Sequence, residues 1–165
     1  VGAFGKAIVQ IREKKLDRTI YEFVESGKPF MGVCLGLQLL FDGSEEFGDF
    51  EGLGIISGKV KKIPTNHGKV PQIGWNKIEI SSDNYCGQIS YSAVENEFMY
   101  FIHSYYVEPE DSQDILTYSN YGGLRYCSSI LRDNISAFQF HPEKSGEAGI
   151  RIYAQFKKTI IERKK

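Results

Sequence analysis

Apolar side chains near the start of the chain recur at the spacing of one face of a helix. They stand at Ile8, Ile11, Leu16, Ile20, Phe23 and Val24. Asp17 is a candidate cap for a second helical piece, and Gly27 is placed to end that piece as the residue just after it. The pattern therefore predicts a helical region over 6–26 that is divided in two.

Shorter apolar runs follow this region. Residues 28–33 predict a strand, whereas the leucine-rich residues 35–42 predict a helix. The glycine-rich residues 43–58 predict a loop with a short strand or turn.

From residue 59 onward, apolar and polar residues alternate as they do in strands with one buried face. The alternation predicts strands at 59–63, 76–80, 99–107, 115–121 and 123–131. Residues 132–134 mark a turn before a buried strand at 137–140, and the apolar spacing over 148–163 predicts a closing amphipathic helix. The chain shows no repeat, no low-complexity tract and no interdomain linker.

Composition narrows the class of protein. The 165 residues are the usual size of one domain, and a net charge of -1 leaves no basic footprint for nucleic acid. No apolar run approaches the roughly 20 residues of a membrane span. Three cysteines without metal-ligand spacing fit a reducing compartment, the cytoplasm, better than a disulfide scaffold. Cys127 is interpreted as strand packing and Cys86 as a loop thiol, and we expect no metal or other cofactor.

Cys34 stands between two glycines, in the order Gly-Val-Cys-Leu-Gly at 32–36. Glycines two positions before and after a nucleophile are typical of a sharp strand-to-helix turn with a strained backbone. At the start of the following helix, the helix dipole and free N–H groups would favour the thiolate. Cys34 is therefore interpreted as a nucleophile. The alternative is a buried cysteine that merely follows a strand.

A second motif, His141-Pro142-Glu143, directly follows the predicted strand at 137–140. The carboxyl ends of parallel strands meet at one edge of a sheet, so His141 and Cys34 can lie close together. Glu143 can bond the imidazole and select its tautomer, as the third member of a triad does. The alternative is a strand-end histidine beside a solvated glutamate. Together with Cys34, the motif favours a Cys-His-Glu triad.

These motifs also point to a family. Residues 32–36 with Gln38, followed by Phe-Gln-Phe-His-Pro-Glu-Lys at 138–144, resemble the class I (triad) glutamine amidotransferases. Other segments are similar to the glutaminase subunits of imidazole glycerol phosphate synthase within that family, namely 1–5, 39–41 with 44–46, 71–76 and 100–106. The resemblance implies an α/β fold with a flavodoxin-like mixed sheet, flanking helices and an antiparallel extension, in a single domain over 1–165.

The beginning of the chain differs from that family pattern. Only one helical region precedes the predicted nucleophile strand, whereas the family has a βαβ unit and a further strand there. Such a unit takes about 30 residues or more, and the first residue here is not Met. We therefore expect an N-terminally incomplete piece of a longer protein that lacks the first βαβ portion.

The resemblance implies hydrolysis of L-glutamine to glutamate and ammonia. Cys34 would attack the side-chain amide, His141 would carry the proton from the thiol to the departing ammonia, and Glu143 would hold the imidazole ring.

The same resemblance assigns the oxyanion donors. They would be the backbone N–H groups of Leu35 and of a turn that includes Val1 and Gly2. Leu35 also stands at a predicted helix N-terminus, where backbone donors are free.

The family further implies substrate contacts at Gln38, at Glu46 for the α-amino group, and at the backbone of His103, Ser104 and Tyr105. Each side chain has an alternative interpretation. Gln38 could be a solvated helix residue, Glu46 a surface charge, and His103 a packed histidine in an aromatic strand. His103 is not assigned to catalysis.

Ammonia released into water would be protonated and lost, so a partner is implied. By resemblance it is the (β/α)₈ cyclase subunit, and the joint products are imidazole glycerol phosphate and an aminoimidazole carboxamide ribotide. The candidate interface residues are Trp75, Tyr100 and Lys144, with core packing as the alternative for Trp75. Many family members carry His and Met where Gln72 and Ile73 stand here, which affects the detailed contact.

Three other functions remain open from the sequence. A paralogous glutaminase could feed another synthase, for example one that aminates a sugar for surface polysaccharide. A γ-glutamyl hydrolase or peptidase could use the same scaffold. A non-catalytic docking fragment is the third possibility, although intact Cys34, His141 and Glu143 weigh against it.

Overall fold

The computed structural model describes residues 3–82, 91 and 94–162. Two helices begin it, α1 (Phe4–Glu13) and α2 (Leu16–Glu25), which confirms the divided helical region. Lys15 separates them in a left-handed conformation, with φ of 55°. Asp17 lies inside the first turn of α2 instead of capping it, so that prediction is wrong. Gly27 ends the helix as predicted, with φ of 71° and its N–H bonded to the carbonyl of Val24.

Within the described residues, ten strands and two further α-helices follow. The strands are β1 (Phe30–Val33), β2 (Phe41–Ser44), β3 (Phe50–Glu51), β4 (Ile56–Lys62), β5 (Gln72–Ile80), β6 (Phe98–His103), β7 (Tyr105–Pro109), β8 (Ile115–Tyr121), β9 (Leu124–Arg132) and β10 (Ile135–Phe138). The helices are α3 (Leu35–Gln38) and α4 (Gly146–Glu162).

These strands form one mixed, mostly antiparallel sheet in the order β3-β2-β4-β7-β9-β8-β5-β6. Strand β10 pairs antiparallel with β9 and parallel with β1, and β2 pairs parallel with β4. Among the described strands, β1 pairs with β10 alone. This architecture confirms the expected α/β class with a mixed sheet and an antiparallel extension.

The helix predicted over 35–42 is wrong beyond Gln38. The backbone carbonyls of Leu39, Leu40 and Phe41 accept N–H groups from residues 53–56 and so leave the helical pattern. Phe41 then enters β2, which pairs with β4. The long-range pairing with 53–56 overrides the local leucine pattern. The loop predicted at 43–58 contains the expected short strand, β3, and also the end of β2 and the start of β4.

Two further differences lie near the predicted interface. The strand predicted at 76–80 begins earlier, at Gln72, because Gln72 to Lys77 pair with β6. The single strand predicted over 99–107 is two strands that divide at Ser104. They divide because β6 pairs with β5, whereas β7 pairs with β4 and β9.

The hydrophobic core consists of two clusters that involve helices from different parts of the chain. The first contains Phe4 and Ile8 of α1 and Leu37 of α3, and the second contains Ile152 of α4.

Cys127 is buried in the first cluster on β9, which confirms its interpretation as strand packing. Cys86 lies outside the described residues. No helix in the described part of the chain is long and apolar enough to cross a bilayer.

Candidate active site

Cys34 occupies a strained turn between β1 and α3. Its φ is 51° and its ψ is -107°, which is the kind of conformation predicted for a nucleophile elbow. A Cβ on Gly32 would come within 2.9 Å of the carbonyl oxygen of Gly36, so this close approach requires glycine. A Cβ on Gly36 would meet no atom within 4 Å, so packing among the described residues does not require glycine there.

The parallel pairing of β1 with β10 brings Cys34 beside the second motif. The backbone N–H of Cys34 donates to the carbonyl of Phe138 over 2.7 Å. The sequence passes from Phe138 through Gln139 and Phe140 to His141, so both motifs lie at the same end of this strand pair.

The environment of the Cys34 sulfur differs from the sequence prediction. The side chain is only 6% exposed, and this burial raises the pKa of the thiol despite a bond from the backbone N–H of Leu35 that lowers it. The following helix is only four residues long, so its dipole is small. The free chain therefore favours the thiol, and the predicted thiolate preference is wrong because desolvation outweighs the helix terminus.

His141 is oriented by Glu143 and by β6. Its Nδ1 lies 2.6 Å from Oε1 of Glu143, a distance at which Nδ1–H donates to the carboxylate and leaves Nε2 as the proton acceptor. Nε2 is buried and has no hydrogen-bond partner among the described residues, so it makes no bond to Cys34 in this structure. The backbone N–H of His141 donates to the carbonyl of Tyr100 over 2.8 Å.

Ser145 holds this turn in place, a role that the sequence did not predict. The residue is 2% exposed. Its hydroxyl donates to the carbonyl of His141 over 2.7 Å and accepts the N–H of Tyr100 over 3.0 Å. No local sequence pattern marks Ser145, because its partner Tyr100 is distant along the chain.

A cavity of about 210 Å³ adjoins Cys34. Its lining includes the candidate nucleophile, the oxyanion candidate Leu35 and all the predicted substrate contacts. Two apolar residues that were not predicted, Pro71 and Ile102, also line it. The lining residues are Cys34, Leu35, Gln38, Glu46, Pro71, Ile102, His103, Ser104 and Tyr105. The oxyanion candidates Val1 and Gly2 lie outside the described residues.

Gln38 is buried, so its interpretation as a solvated residue is wrong. Its Nε2 donates to the carbonyl of Tyr105 over 2.9 Å and to Oε1 of Gln139 over 3.0 Å. Both amide hydrogens are therefore used within the protein, and its own Oε1 remains to face a substrate donor.

Glu46 is half-buried at the cavity wall. Its Oε2 accepts the backbone N–H of Phe4, the first residue of α1, over 2.6 Å. The helix terminus thus orients the carboxylate, and Oε1 remains for a cationic ligand group.

His103 is packed in the core, 3% exposed, in agreement with its interpretation as a packed histidine. Its Nδ1–H donates to the carbonyl of Tyr105 over 2.9 Å, and Nε2 lies 3.3 Å from the hydroxyl of Tyr126. Burial lowers the pKa of His103 to about 4, so the ring is neutral near pH 7.

The predicted interface residues form one surface group beside the site. Trp75 is 55% exposed, and its ring meets that of Tyr100 edge-on at a centroid distance of 6.0 Å. Nζ of Lys144 lies 5.9 Å from the centre of the Tyr100 ring. Ile73 and Phe98, each more than half exposed, belong to the same two-stranded ribbon of β5 and β6. We call Ile73, Trp75, Phe98 and Tyr100 the apolar ribbon face.

The two departures from the family pattern lie on opposite sides of β5. Gln72 is buried, and its Oε1 lies 3.0 Å from the hydroxyl of Tyr126. Ile73 is 58% exposed on the apolar ribbon face. Only Ile73 can therefore contact a docked partner through its side chain.

A comparison with protein families matches residues 9–159 to glutamine amidotransferase class-I. The imidazole glycerol phosphate synthase subunit HisH of Aquifex aeolicus is 46% identical over 158 residues, which cover 96% of this chain and 74% of that protein. The HisH subunit of Syntrophotalea carbinolica is 44% identical over 162 residues, which cover 94% of this chain and 77% of that protein.

Solved structures share the fold. A glutamine amidotransferase crystal structure aligns with a TM-score of 0.68 at 17% identity, covering 96% of this chain and 75% of that chain. The structure of PurLQS from Thermotoga maritima aligns with a TM-score of 0.62 at 17% identity, and the alignment covers 92% of this chain and 69% of that chain. Given the family match and the HisH relatives, this chain belongs to the class-I glutamine amidotransferases, in the group of imidazole glycerol phosphate synthase HisH subunits.

Proposed function

We propose that this protein is a glutaminase subunit that hydrolyses L-glutamine to glutamate and ammonia in the cytoplasm. It would pass the ammonia to a (β/α)₈ cyclase partner that makes imidazole glycerol phosphate and aminoimidazole carboxamide ribotide. The observation that carries this proposal is the single cavity that contains Cys34 together with Gln38, Glu46 and the 103–105 backbone. The identity of 46% to a HisH subunit supports the synthase assignment.

The cavity has polar groups suited to both ends of free glutamine. The Glu46 carboxylate can pair with the α-ammonium group, and the backbone of 103–105 lies beside it to meet the α-carboxylate. Gln38 can accept a substrate N–H through its Oε1. Cys34 lies in the same cavity for the side-chain amide.

The chemistry follows from Cys34 and His141. The sulfur forms a bond to the amide carbon as the thiol proton passes to Nε2 of His141. That proton goes to the nitrogen as the carbon–nitrogen bond breaks, which releases ammonia and leaves a glutamyl thioester. Water, deprotonated by His141, then hydrolyses the thioester to glutamate. Glu143 stabilises the imidazolium that forms during both the formation and the hydrolysis of the thioester.

The free chain is not arranged for rapid turnover. Burial favours the Cys34 thiol, and Nε2 of His141 makes no hydrogen bond to the sulfur. Proton transfer needs these atoms within hydrogen-bond reach. Glutamine hydrolysis is therefore expected to be slow until the partner docks and brings the two groups together.

The apolar ribbon face suits the docking of that partner. Ile73, Trp75 and Phe98 are each more than half exposed, and such apolar clusters mark interaction sites. The face lies near the catalytic residues, because the β6 backbone at Tyr100 bonds to His141. A cyclase docked here would receive ammonia a short distance from where it is formed.

The deciding experiment is glutamate release from glutamine, with and without the cyclase subunit and its nucleotide substrate. Strong activation by the cyclase and nucleotide together supports the proposal. Turnover that ignores the cyclase would favour a glutaminase for another synthase. An absence of turnover under every condition would contradict the glutaminase assignment, and activity on γ-glutamyl peptides alone would replace it with a peptidase.

A further inference from the structure

Gln139 is a fully buried polar residue that the mechanism above does not use. It follows β10 and stands between Phe138 and Phe140, which are also fully buried. Its side-chain Nε2 lies 3.7 Å from the Cys34 sulfur, a hydrogen-bond distance for this large atom. Its Oε1 accepts from Nε2 of Gln38 over 3.0 Å.

The orientation of the Gln139 amide is determined by its neighbours. The carbonyl of Tyr105 can only accept, so the nearby end of the Gln38 amide must be its NH₂ group. The second hydrogen of that group points to Gln139, which must therefore present its oxygen to Gln38. The NH₂ end of Gln139 is left to face the sulfur.

The Tyr105 carbonyl that begins this arrangement is itself held in place. It also accepts Nδ1–H of His103 over 2.9 Å, and His103 is neutral and packed. The chain of contacts therefore runs from a rigid backbone carbonyl through two side-chain amides to the nucleophile.

We infer that the amide N–H of Gln139, held in orientation by Gln38, stabilises the thiolate of Cys34 during attack on the substrate. The inference rests on the proposed function of Cys34 as the nucleophile. A donor bonded to the charged form of a group favours that form. Gln139 thereby offsets part of the desolvation that disfavours the thiolate in this buried site, and it does so without placing a charge beside the substrate amide.

The test measures the pH dependence of iodoacetamide alkylation at Cys34, followed by mass spectrometry of the Cys34 peptide. Gln139→Met keeps the length of the side chain and removes the donor. We expect the midpoint of the alkylation profile to rise by about one pH unit, which is about tenfold less thiolate at a fixed pH below the midpoint. The rate at the high-pH plateau should stay within about twofold, because the fully formed thiolate remains accessible.

Two related variants test the orienting role of Gln38. Gln38→Met should raise the midpoint too, because the Gln139 amide is then free to turn. Combining Gln38→Met with Gln139→Met should add little to the larger single effect, since both remove the same contact. Gln139→Asn keeps a polar amide but shortens its reach, and it provides the measurement if Gln139→Met fails to fold.

Gln72→Met is the matched control, because Gln72 is equally buried but bonds Tyr126 instead of the sulfur. Its alkylation midpoint should equal that of the wild type. An unchanged midpoint in folded Gln139→Met or Gln139→Asn would overturn the inference and leave Gln139 a packing residue. Alkylation needs no glutamine turnover, so failure of the proposed function would appear separately, as missing glutamate release with the midpoint shift intact.

Discussion

His141 and Tyr100 are joined directly, because the backbone N–H of His141 donates to the Tyr100 carbonyl over 2.8 Å. The histidine of the proposed triad is therefore hydrogen-bonded to β6, one of the two strands that form the apolar ribbon face. Movement of Tyr100 on docking would reach His141 through one hydrogen bond and through Ser145, which bonds both residues.

Ser145→Ala should destabilise the protein by about 1–2 kcal/mol, because it removes the hydroxyl that accepts the Tyr100 N–H and leaves the His141 carbonyl with only the Lys144 N–H as a donor. Urea unfolding measures the change. Ser26→Ala is the control, since Ser26 also bonds a backbone carbonyl but lies exposed at a helix end. Equal losses in the two variants would contradict a structural role for Ser145 at the His141 turn.

Cys34→Ala should lower glutamate release by at least about 10⁴-fold, because no other group can form the thioester. Binding to the cyclase, measured by titration calorimetry, should remain unchanged. Cys127→Ala removes the other described free cysteine, which is buried away from the cavity, and should keep turnover. Glutamine turnover that survives in Cys34→Ala would refute the mechanism.

His141→Asn should lower kcat by about 10²–10⁴-fold, the usual contribution of a general base. Glu143→Gln should cost less, because Glu143 orients His141 over 2.6 Å and is not itself a reacting group. Steady-state kinetics with the cyclase and nucleotide present give both values. The triad assignment fails if His141→Asn retains the full rate, or if Glu143→Gln costs more than His141→Asn.

His103 should make stability depend on pH below about 6.5. Its pKa is about 4 in the folded chain against an ordinary value of 6.5, so the unfolded chain binds more protons between these values. Above pH 6.5 the ring is neutral in both states, so His103 does not lower the free energy of unfolding. As the pH falls from 6.5 toward 4, that free energy should decrease by up to roughly 3 kcal/mol.

Urea unfolding between pH 7 and 4 tests this dependence. His103→Asn preserves a donor toward the Tyr105 carbonyl but cannot titrate, so its stability should fall less steeply with acid. His67→Asn, at a histidine in a surface turn outside this network, is the matched control. Identical slopes in wild type and His103→Asn would contradict the buried neutral imidazole.

Trp75→Ala should weaken cyclase binding by about 2 kcal/mol or more, roughly 30-fold in Kd, because a half-exposed Trp in an apolar face is a typical hot spot. The free energy of unfolding of the isolated chain should change little. Ile161→Ala, at an exposed apolar residue near the far end of α4, controls for general loss of apolar surface. Unchanged affinity in Trp75→Ala would place the docking surface elsewhere.

Local patterns carried much of the information about this site. Glycine spacing predicted the strained turn at Cys34, and the strand-end position of His141 predicted its place beside that turn. Glu143 could be connected with His141 because it stands only two positions further along the chain. The turn at Cys34 and the contact between His141 and Glu143 depend on backbone geometry within a few residues, whereas the meeting of the two motifs depends on the parallel pairing of β1 with β10.

Other features depended on contacts between distant segments. The helix predicted over 35–42 ends at Gln38, because the carbonyls of Leu39 and Leu40 accept backbone N–H groups from residues 53–56. The Cys34 thiol is desolvated by surroundings that come from several elements, and so its pKa rises when the local helix terminus alone would lower it.

The sequence by itself determined the chemistry of the molecule: a cysteine in a glycine turn, a His-Glu pair after a strand, and residues that place the chain in its family. Only the tertiary structure decided that Gln139, Ser145 and Gln38 form hydrogen bonds to those groups or to one another. Their hydrogen-bond partners lie up to 105 residues away in the chain. Such pairings are set by sheet register and packing, which no local pattern specifies.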